Sequence, residues 1–182
     1  CSEEIYTEAF PILKKYEINA TVNVIGYYVK YRDNYNFPIL SWDELREMTD
    51  SGLISLQSET YYSYVQKLNV DGTMSHPFIN QRQNESWDAY YQRITKDLLK
   101  NNVLLMLKCQ QPKPIAVAYP YGESNDATKQ SMQSMGLYLG FETANNHCLN
   151  LLNWVDPYHL PRFEMNQNFK RMQDFLTFIN TY

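Results

Sequence analysis

The sequence predicts an α/β fold with a mainly parallel sheet, because short apolar strands alternate with amphipathic helices along almost the whole chain. Capping residues and glycines mark where most of these elements begin and end. A chain of 182 residues is long enough for one domain with a sizeable core. The predicted helices cover 3–16, 41–52, 86–108, 124–136 and 168–179, and the predicted strands cover 20–25, 53–57, 115–119, 138–143 and 160–165.

The first part of the chain contains two helices, each followed by a strand. Pro11 lies inside the first helix and is expected to kink it, since proline has no amide hydrogen to donate. The strand that follows ends at Gly26. Ser41 and Glu44 have the spacing of a capping box, which predicts that the second helix begins there and stops at Gly52.

A long polar stretch then separates the two parts of the chain. Residues 65–84 contain Asp-Gly and His-Pro steps, which favour turns, so we expect an excursion over one face of the fold. Ser86 is expected to cap a long helix, and Ser124 or Asn125 the next one, which ends at Gly136. The inward face of the long helix is predicted to carry Tyr90, Tyr91, Ile94, Leu98 and Leu105.

Polar or aromatic residues follow the ends of three predicted strands. Glu59, Tyr121 and Thr143 each come just past a strand end. Because the carboxyl ends of parallel strands meet at one edge of a sheet, we expect these residues on the same rim, where functional groups gather in such folds.

Composition and charge exclude some partners. Sixteen basic and twenty acidic residues give a net charge of −4, which predicts no broad basic surface for nucleic acid. The chain has no run of 18 apolar residues, so no membrane span is predicted. The 16 tyrosines and 3 tryptophans could stack on sugar faces, although such rings more commonly fill cores. The sequence leaves the oligomeric state open.

Several segments, taken in order, resemble the polysaccharide deacetylases, the NodB-homology domains of carbohydrate esterase family four. Ala-Tyr-Pro-Tyr-Gly at 118–122 resembles the third motif of this family. Leu-Pro-Arg-Phe at 160–163 resembles the Arg-containing strand near the end of the domain, most closely as it occurs in the branch that acts on poly-N-acetylglucosamine. The remaining matches are FPILKKY at 10–16, ATVNVIG at 20–26, SWDEL at 41–45 and YYQRITKDL at 90–98. The resemblance implies a distorted, incomplete (β/α) barrel, with 1–182 forming a single domain whose first strand lies before Cys1 or is missing.

The resemblance also implies a chemistry. In this family zinc or another divalent metal, held by an Asp and two His, polarises an amide carbonyl and lowers the pKa of a bound water. A backbone N–H of the third motif helps to hold the oxyanion, and a late His protonates the leaving amine. The implied substrate is a surface polysaccharide that contains N-acetylglucosamine. The implied location is extracellular or at a cell surface, and the Asn-, Tyr- and Lys-rich composition favours a bacterial source.

The metal-binding positions depart from the family pattern. Glu59 stands where the family has its first His, and Ser63 or Tyr64 stands at the second. The Asp-Asp stretch would fall before Cys1, and the fourth motif at 150–154 has amides in place of both carboxylates. No Leu-x-His strand is found near the end of the chain. We therefore predict that no metal or other cofactor binds and that hydrolysis is impaired or absent.

The predicted site has one residue of catalytic type, Tyr121, whose backbone amide is placed to hold an oxyanion. Glu59 is interpreted as an acceptor for sugar hydroxyls, because a lone carboxylate is a weak metal ligand. Arg162 has two interpretations, a rim contact or a salt bridge that anchors the barrel, and Trp154 could be a sugar platform or a core residue. The complete predicted substrate-binding set is Glu59, Thr60, Pro120, Trp154 and Arg162.

The three histidines are weaker candidates. His76 could swing from the excursion toward Glu59 as a ligand, and His147 or His159 could replace the missing acid, but exposed or structural roles are the simpler interpretation. Three functions therefore remain open. They are a deacetylase-like domain that still binds glycan, an active hydrolase with a metal site remodelled around Glu59, and a domain with a purely structural or interaction role.

Overall fold

Five parallel strands form the main sheet of this protein. The structure is a computed structural model that describes residues 1–68, 74–143, 156–162, 173 and 176. The strands of the sheet are β1 (Ala20–Val24), β2 (Ile54–Ser58), β5 (Ala116–Ala118), β6 (Leu139–Thr143) and β7 (Leu160–Arg162), in the order β1-β2-β5-β6-β7. Among the described strands β1 and β7 are the two edges, so the sheet stays open, as the prediction of an incomplete barrel requires.

One helix precedes β1, and helices lie in the connections from β1 to β2, from β2 to β5 and from β5 to β6, as expected for parallel crossovers. They are α1 (Phe10–Tyr16), α2 (Gly26–Lys30), α3 (Trp42–Asp50), α4 (Trp87–Cys109) and α5 (Asp126–Ser134). The excursion contains an antiparallel hairpin of β3 (Lys67–Leu68) and β4 (Met74–Ser75). No helix in the described part of the chain is long and apolar enough to cross a membrane.

The capping predictions are confirmed at three helices. Ser41 and Glu44 form a complete capping box at α3, and the Ser86 side chain accepts from the Ala89 amide at α4. At α5 the two sequence alternatives are decided in favour of Asn125, which forms a reciprocal pair of bonds with Thr128. These short-range bonds satisfy amide groups that each helix start would otherwise leave unpaired.

The structure adds three features to the predicted elements. A π-helical turn, Ile5–Ala9, runs directly into α1, and Pro11 is the second residue of α1. The kink expected at Pro11 stays a prediction. The short helix α2 directly after β1 was not expected, nor was the hairpin in the excursion. The predicted helix over 168–179 and the end of the predicted last strand, 163–165, fall largely outside the described residues.

Helix α4 joins the two parts of the hydrophobic core. Its C-terminal residues Leu105 and Cys109 belong to a cluster built on β1, β2 and α3. Its N-terminal half contributes Tyr90, Ile94 and Leu98 to a second cluster built on β5 and α5. One helix therefore fixes the relative position of both halves of the sheet.

Asn101 makes this connection specific through buried hydrogen bonds. Its Nδ2 donates to the Val24 carbonyl and to Ser58 Oγ, both at 2.8 Å, and its Oδ1 accepts from the Gly26 amide at 2.9 Å. A Cβ at Gly26 would overlap Asn101 Oδ1, so only glycine allows this close approach. The ends of β1 and β2 are thus held by one side chain.

We expect Asn101→Ala to lower the free energy of unfolding by about 2–4 kcal/mol, because it removes three buried hydrogen bonds. It leaves the Gly26 amide unpaired at a cost of ~1–3 kcal/mol, whereas the Val24 carbonyl and Ser58 Oγ each keep a second partner, the amides of Glu59 and Thr60. Asn102 is a matched control: it is equally buried, but its side-chain amide has no hydrogen-bond partner among the described residues. Asn102→Ala should cost about 1 kcal/mol or less. Urea denaturation of both variants measures the difference, and equal losses would show that the hydrogen bonds of Asn101 do not set its contribution.

Candidate functional site

The C-terminal ends of the strands carry the candidate site. Glu59 directly follows β2, Tyr121 follows β5, Thr143 ends β6 and Arg162 ends β7. A Cβ on Gly122 would overlap Thr143, so the turn after β5 lies against the end of β6. The sequence prediction that Glu59, Tyr121 and Thr143 share one rim agrees with these positions.

Asp97 of α4 shapes the loop that follows Glu59. Its two carboxylate oxygens accept from the backbone amides of Tyr61 and Tyr62 at 2.8 and 2.9 Å, and Ser63 also donates to it. Burial nevertheless raises the pKa of this carboxyl, with the hydrogen bonds opposing the shift. The sequence pattern suggested no role for Asp97. Its position beside two inward-facing positions of the long helix could have indicated that this carboxylate faces inward.

Glu59 is a largely buried carboxyl whose charge is disfavoured. Burial raises its pKa to about 7, and the positive charge of Arg162 opposes that shift. Its backbone amide donates to the Val24 carbonyl at 3.0 Å, which fixes its position beside β1. At neutral pH the Glu59 side chain is therefore present both as the neutral acid, which can donate a hydrogen bond, and as the carboxylate, which can only accept.

Thr60 and Pro120 are buried, and the Thr60 hydroxyl has no partner among the described residues. Thr60 also has a positive φ of 74°, which is uncommon for a β-branched residue and marks strain at the strand end. Trp154 lies outside the described residues. The sugar contacts predicted for these three residues stay predictions.

Arg162 lies at the end of β7, where its guanidinium donates to the Tyr119 carbonyl at 3.4 Å. Burial raises the pKa of Glu59 and of Tyr64, and the positive charge of Arg162 opposes that rise in both groups. The guanidinium therefore places a fixed positive charge at the position where the sequence pattern suggested a rim contact.

Tyr121 adopts a left-handed backbone conformation, with φ 58°, in the turn Pro120–Gly122. Its hydroxyl donates to the Tyr64 carbonyl at 2.8 Å, and its ring remains 38% exposed. Burial, with smaller effects from neighbouring phenols and from Glu59, raises the pKa of Tyr121 to about 12. The phenol is therefore neutral at physiological pH.

Six aromatic side chains run across this rim, and we call them the aromatic ribbon. Successive ring centroids lie 5.5, 5.0, 6.0, 4.7 and 4.8 Å apart. In order, the ribbon consists of Phe37, Tyr35, Tyr28, Tyr64, Tyr121 and His76. The sequence pattern showed the many tyrosines but not this arrangement, which brings together residues from three separate connections between strands.

The donors at the rim do not suit a divalent metal. In the described part of the chain no group of three His, Cys, Asp or Glu residues could hold an ion. At the two positions where the sequence resemblance expects imidazoles, Glu59 lies within the field of Arg162, and burial raises the pKa of the Tyr64 phenol, which therefore stays neutral. A carboxyl near a guanidinium and a neutral phenol give little attraction for zinc.

The described histidines do not face Glu59 as ligands. His76 bonds Glu123 through Nδ1 and Gln66 through Nε2, so both of its nitrogens have partners. His159 Nδ1 lies 2.7 Å from Glu142 Oε1, in a network of polar contacts beside β6 and β7. His147 lies outside the described residues.

The raised pKa of Glu59 makes a prediction about stability. Folding favours the neutral acid, so the native state is penalised progressively as pH rises through about 7, whereas below about 4.5 there is no penalty. Glu59→Gln removes the charge and should stabilise the protein at pH 8 by roughly 1–3 kcal/mol relative to its effect at pH 4.5.

Chemical denaturation of wild type and Glu59→Gln at both pH values measures this difference. Glu142→Gln is a control for a carboxylate that is paired at the same rim. A variant whose relative stability does not change with pH would show that Glu59 is ionised freely in the folded protein.

Comparison with known proteins places the chain among deacetylases. Residues 1–140 match the polysaccharide deacetylase family. The chain is 29% identical over 160 residues to a poly-β-1,6-N-acetyl-D-glucosamine N-deacetylase of Staphylococcus aureus, a match that covers 88% of this chain and 50% of the relative. This chain thus spans about half the length of the curated relatives it matches.

Two solved structures show the same fold. A de-N-acetylase from Aggregatibacter actinomycetemcomitans superposes with a TM-score of 0.76 at 21% identity, covering 96% of this chain and 70% of that one. A CE4 family pseudoenzyme from Bacillus anthracis superposes with a TM-score of 0.53 at 18% identity, covering 75% and 38% of the two chains. With its family match, sheet order and third-motif turn, this chain belongs to the polysaccharide deacetylase family.

Proposed function

We propose that this chain, a single domain over 1–182, binds a polysaccharide that contains N-acetylglucosamine and that metal-dependent hydrolysis of its N-acetyl groups is impaired or lost. The observation that carries the proposal is the aromatic ribbon along the strand-end rim. Rings with one apolar face and a polar tip suit sugars, whose C–H faces stack on the ring while their hydroxyls reach polar groups.

The form of the ribbon favours an extended polymer over a single sugar. Its rings form a continuous series, from Phe37, which is 53% exposed, to Tyr121 and His76. Glu59 and Arg162 lie beside the middle of the series, where their effects on Tyr64 show their proximity. A neutral, amide-bearing glycan could stack along the rings and bond these two side chains.

The choice of glycan follows the relatives. The curated relative from Staphylococcus aureus is described as acting on poly-β-1,6-N-acetyl-D-glucosamine, and we take the same polymer class as the ligand here. Such polymers lie outside cells, so the domain is proposed to work in the extracellular space or at a cell surface.

Impaired hydrolysis is supported by the chemistry of the donors. Hydrolysis of an amide with a metal needs a cation that polarises the carbonyl and lowers the pKa of water. The neutral phenol of Tyr64 is a poor metal ligand, and the guanidinium of Arg162 near Glu59 repels a divalent cation at this position. The pseudoenzyme from Bacillus anthracis has this fold, which gives one precedent for a member without the activity.

We expect the purified protein to release no acetate above the buffer rate from β-1,6-linked N-acetylglucosamine oligomers, with or without added zinc or cobalt. The physical reason is that the described residues of the rim provide no suitable donor set. Elemental analysis of the same sample should find metal well below one ion per chain. Acetate release that EDTA abolishes would instead establish the active hydrolase with a remodelled site.

Binding is tested by titrating the same oligomers in a calorimeter. Tyr121→Ala should weaken binding about fivefold, since an aromatic stacking contact contributes ~1 kcal/mol. Tyr138→Ala is the matched control, because this exposed tyrosine precedes β6 at the opposite end of the sheet. No heat of binding with the wild-type protein would favour a structural or interaction role instead.

A further inference from the structure

A network of polar contacts joins the excursion to the third-motif turn at one end of the aromatic ribbon. His76 Nδ1 pairs with the carboxylate of Glu123, and its Nε2 lies 2.7 Å from the side-chain nitrogen of Gln66. The imidazole also stacks on Tyr121, with the ring centroids 4.8 Å apart and the planes 30° apart. His76 therefore contacts a residue of the ribbon and, at the same time, fixes the segment that carries it.

From this geometry we propose that His76 is a positioning residue for Tyr121 and makes the affinity of the aromatic ribbon for the polysaccharide depend on pH. The proposal deepens the proposed function and rests on it. His76 is the last ring of the ribbon, and its effect on the pH dependence acts through the orientation of the Tyr121 ring.

Tyr121 depends on its neighbours for its orientation. The left-handed backbone at this residue is unfavourable for a bulky side chain, so the surrounding contacts must maintain it. Three contacts do so: the ring stacks on Tyr64 at 4.7 Å, its hydroxyl donates to the Tyr64 carbonyl, and it stacks on His76. The first two contacts do not change charge near neutral pH, whereas an imidazole can.

Protonation strengthens the contacts of His76 on two sides. The bond from Nδ1–H to Glu123 becomes an ion pair, and charge-assisted hydrogen bonds are roughly twice as strong as neutral ones. The imidazolium also gains attraction to the face of the Tyr121 ring. At a pH below the range in which histidine titrates, the Tyr121 ring is therefore held more firmly. Less conformational entropy is then lost when the polysaccharide binds.

Both charge states of the imidazole can be accommodated. A neutral ring with its proton on Nδ1 accepts at Nε2 from the Gln66 amide nitrogen, and a charged ring donates to the amide oxygen after a turn of that amide. The remaining groups that face the imidazole are the Glu123 carboxylate, which is 44% exposed, and the Tyr121 ring. Protonation therefore requires no rearrangement of the backbone.

Glu59 is a second group that titrates near this ribbon, because it acts on Tyr64 and Tyr121. A comparison of wild type with a His76 variant removes its contribution, since Glu59 is present in both proteins. His76→Phe keeps an aromatic ring for stacking and loses the charge and both nitrogens.

The experiment is calorimetric titration of a β-1,6-linked N-acetylglucosamine hexamer at pH 5.5 and pH 8. We expect the affinity of wild type to rise about fivefold more between pH 8 and pH 5.5 than the affinity of His76→Phe does. Glu123→Gln, which keeps the imidazole but removes its charged partner, should lose most of the same gain. His159→Phe is the control, and its binding should follow wild type at both pH values.

Each outcome decides the proposal. A His76→Phe protein that gains as much affinity as wild type on acidification overturns the role of His76 and leaves the proposed function standing. A wild-type protein that binds with equal affinity at both pH values also overturns the role of His76 and leaves the proposed function standing. A wild-type protein that binds no oligomer at either pH overturns the proposed function, and the positioning role falls with it.

Discussion

Two buried polar side chains of α4 determine where the whole rim lies. Asp97 and Asn101 are one helical turn apart and therefore share a face of the helix. Asn101 bonds the ends of β1 and β2, and Asp97 bonds the amides of the loop that follows β2. Because Asn101 makes three buried bonds and Asp97 accepts from two loop amides, the ends of β1 and β2 and the loop after β2 are tied to one face of the helix. These hydrogen bonds of Asp97 and Asn101 therefore position the part of the site that lies at the ends of β1 and β2.

The electrostatics of the rim differ from those of a metal centre. A metal centre concentrates negative and neutral ligands around a cation supplied from solution, whereas here the cation is a side chain, Arg162, that belongs to the protein. Burial leaves Glu59 only partly ionised near neutral pH, and the phenols around it are neutral. Such a surface is close to neutral and partly apolar, which suits stacking and hydrogen bonding to sugars better than activation of water.

The third-motif turn links the sheet to the ribbon. Gly122 lies so close to Thr143 that a side chain would not fit, and this contact fixes the turn against the end of β6. The turn in turn presents Tyr121 to Tyr64 on one segment and to His76 on another. The sheet thus places the backbone of Tyr121, whereas Tyr64 and His76, which both lie between β2 and α4, place its ring.

Much of the fold could be predicted from the sequence, because its signals act over a few residues. Ser41, Ser86 and Asn125 cap helices through bonds to amides three residues away, and apolar runs of strand length mark β1 and β2. The order of the motifs also indicated the family. By contrast, no capping side chain marks the start of the short helix α2 after β1, so the sequence did not predict it. The left-handed conformation of Tyr121 depends on contacts with distant segments, which a local pattern does not reveal.

The sequence by itself determined most of the secondary structure, the parallel arrangement and the positions at which the family's histidines are replaced. Only the tertiary structure decided what those replacements do. Glu59 has a pKa near neutrality because other segments bury it, and the rings of Tyr28, Tyr64, Tyr121 and His76 meet because separate loops converge at the strand ends. Burial and contact between distant residues are properties of the folded chain, and a local pattern carries no record of them.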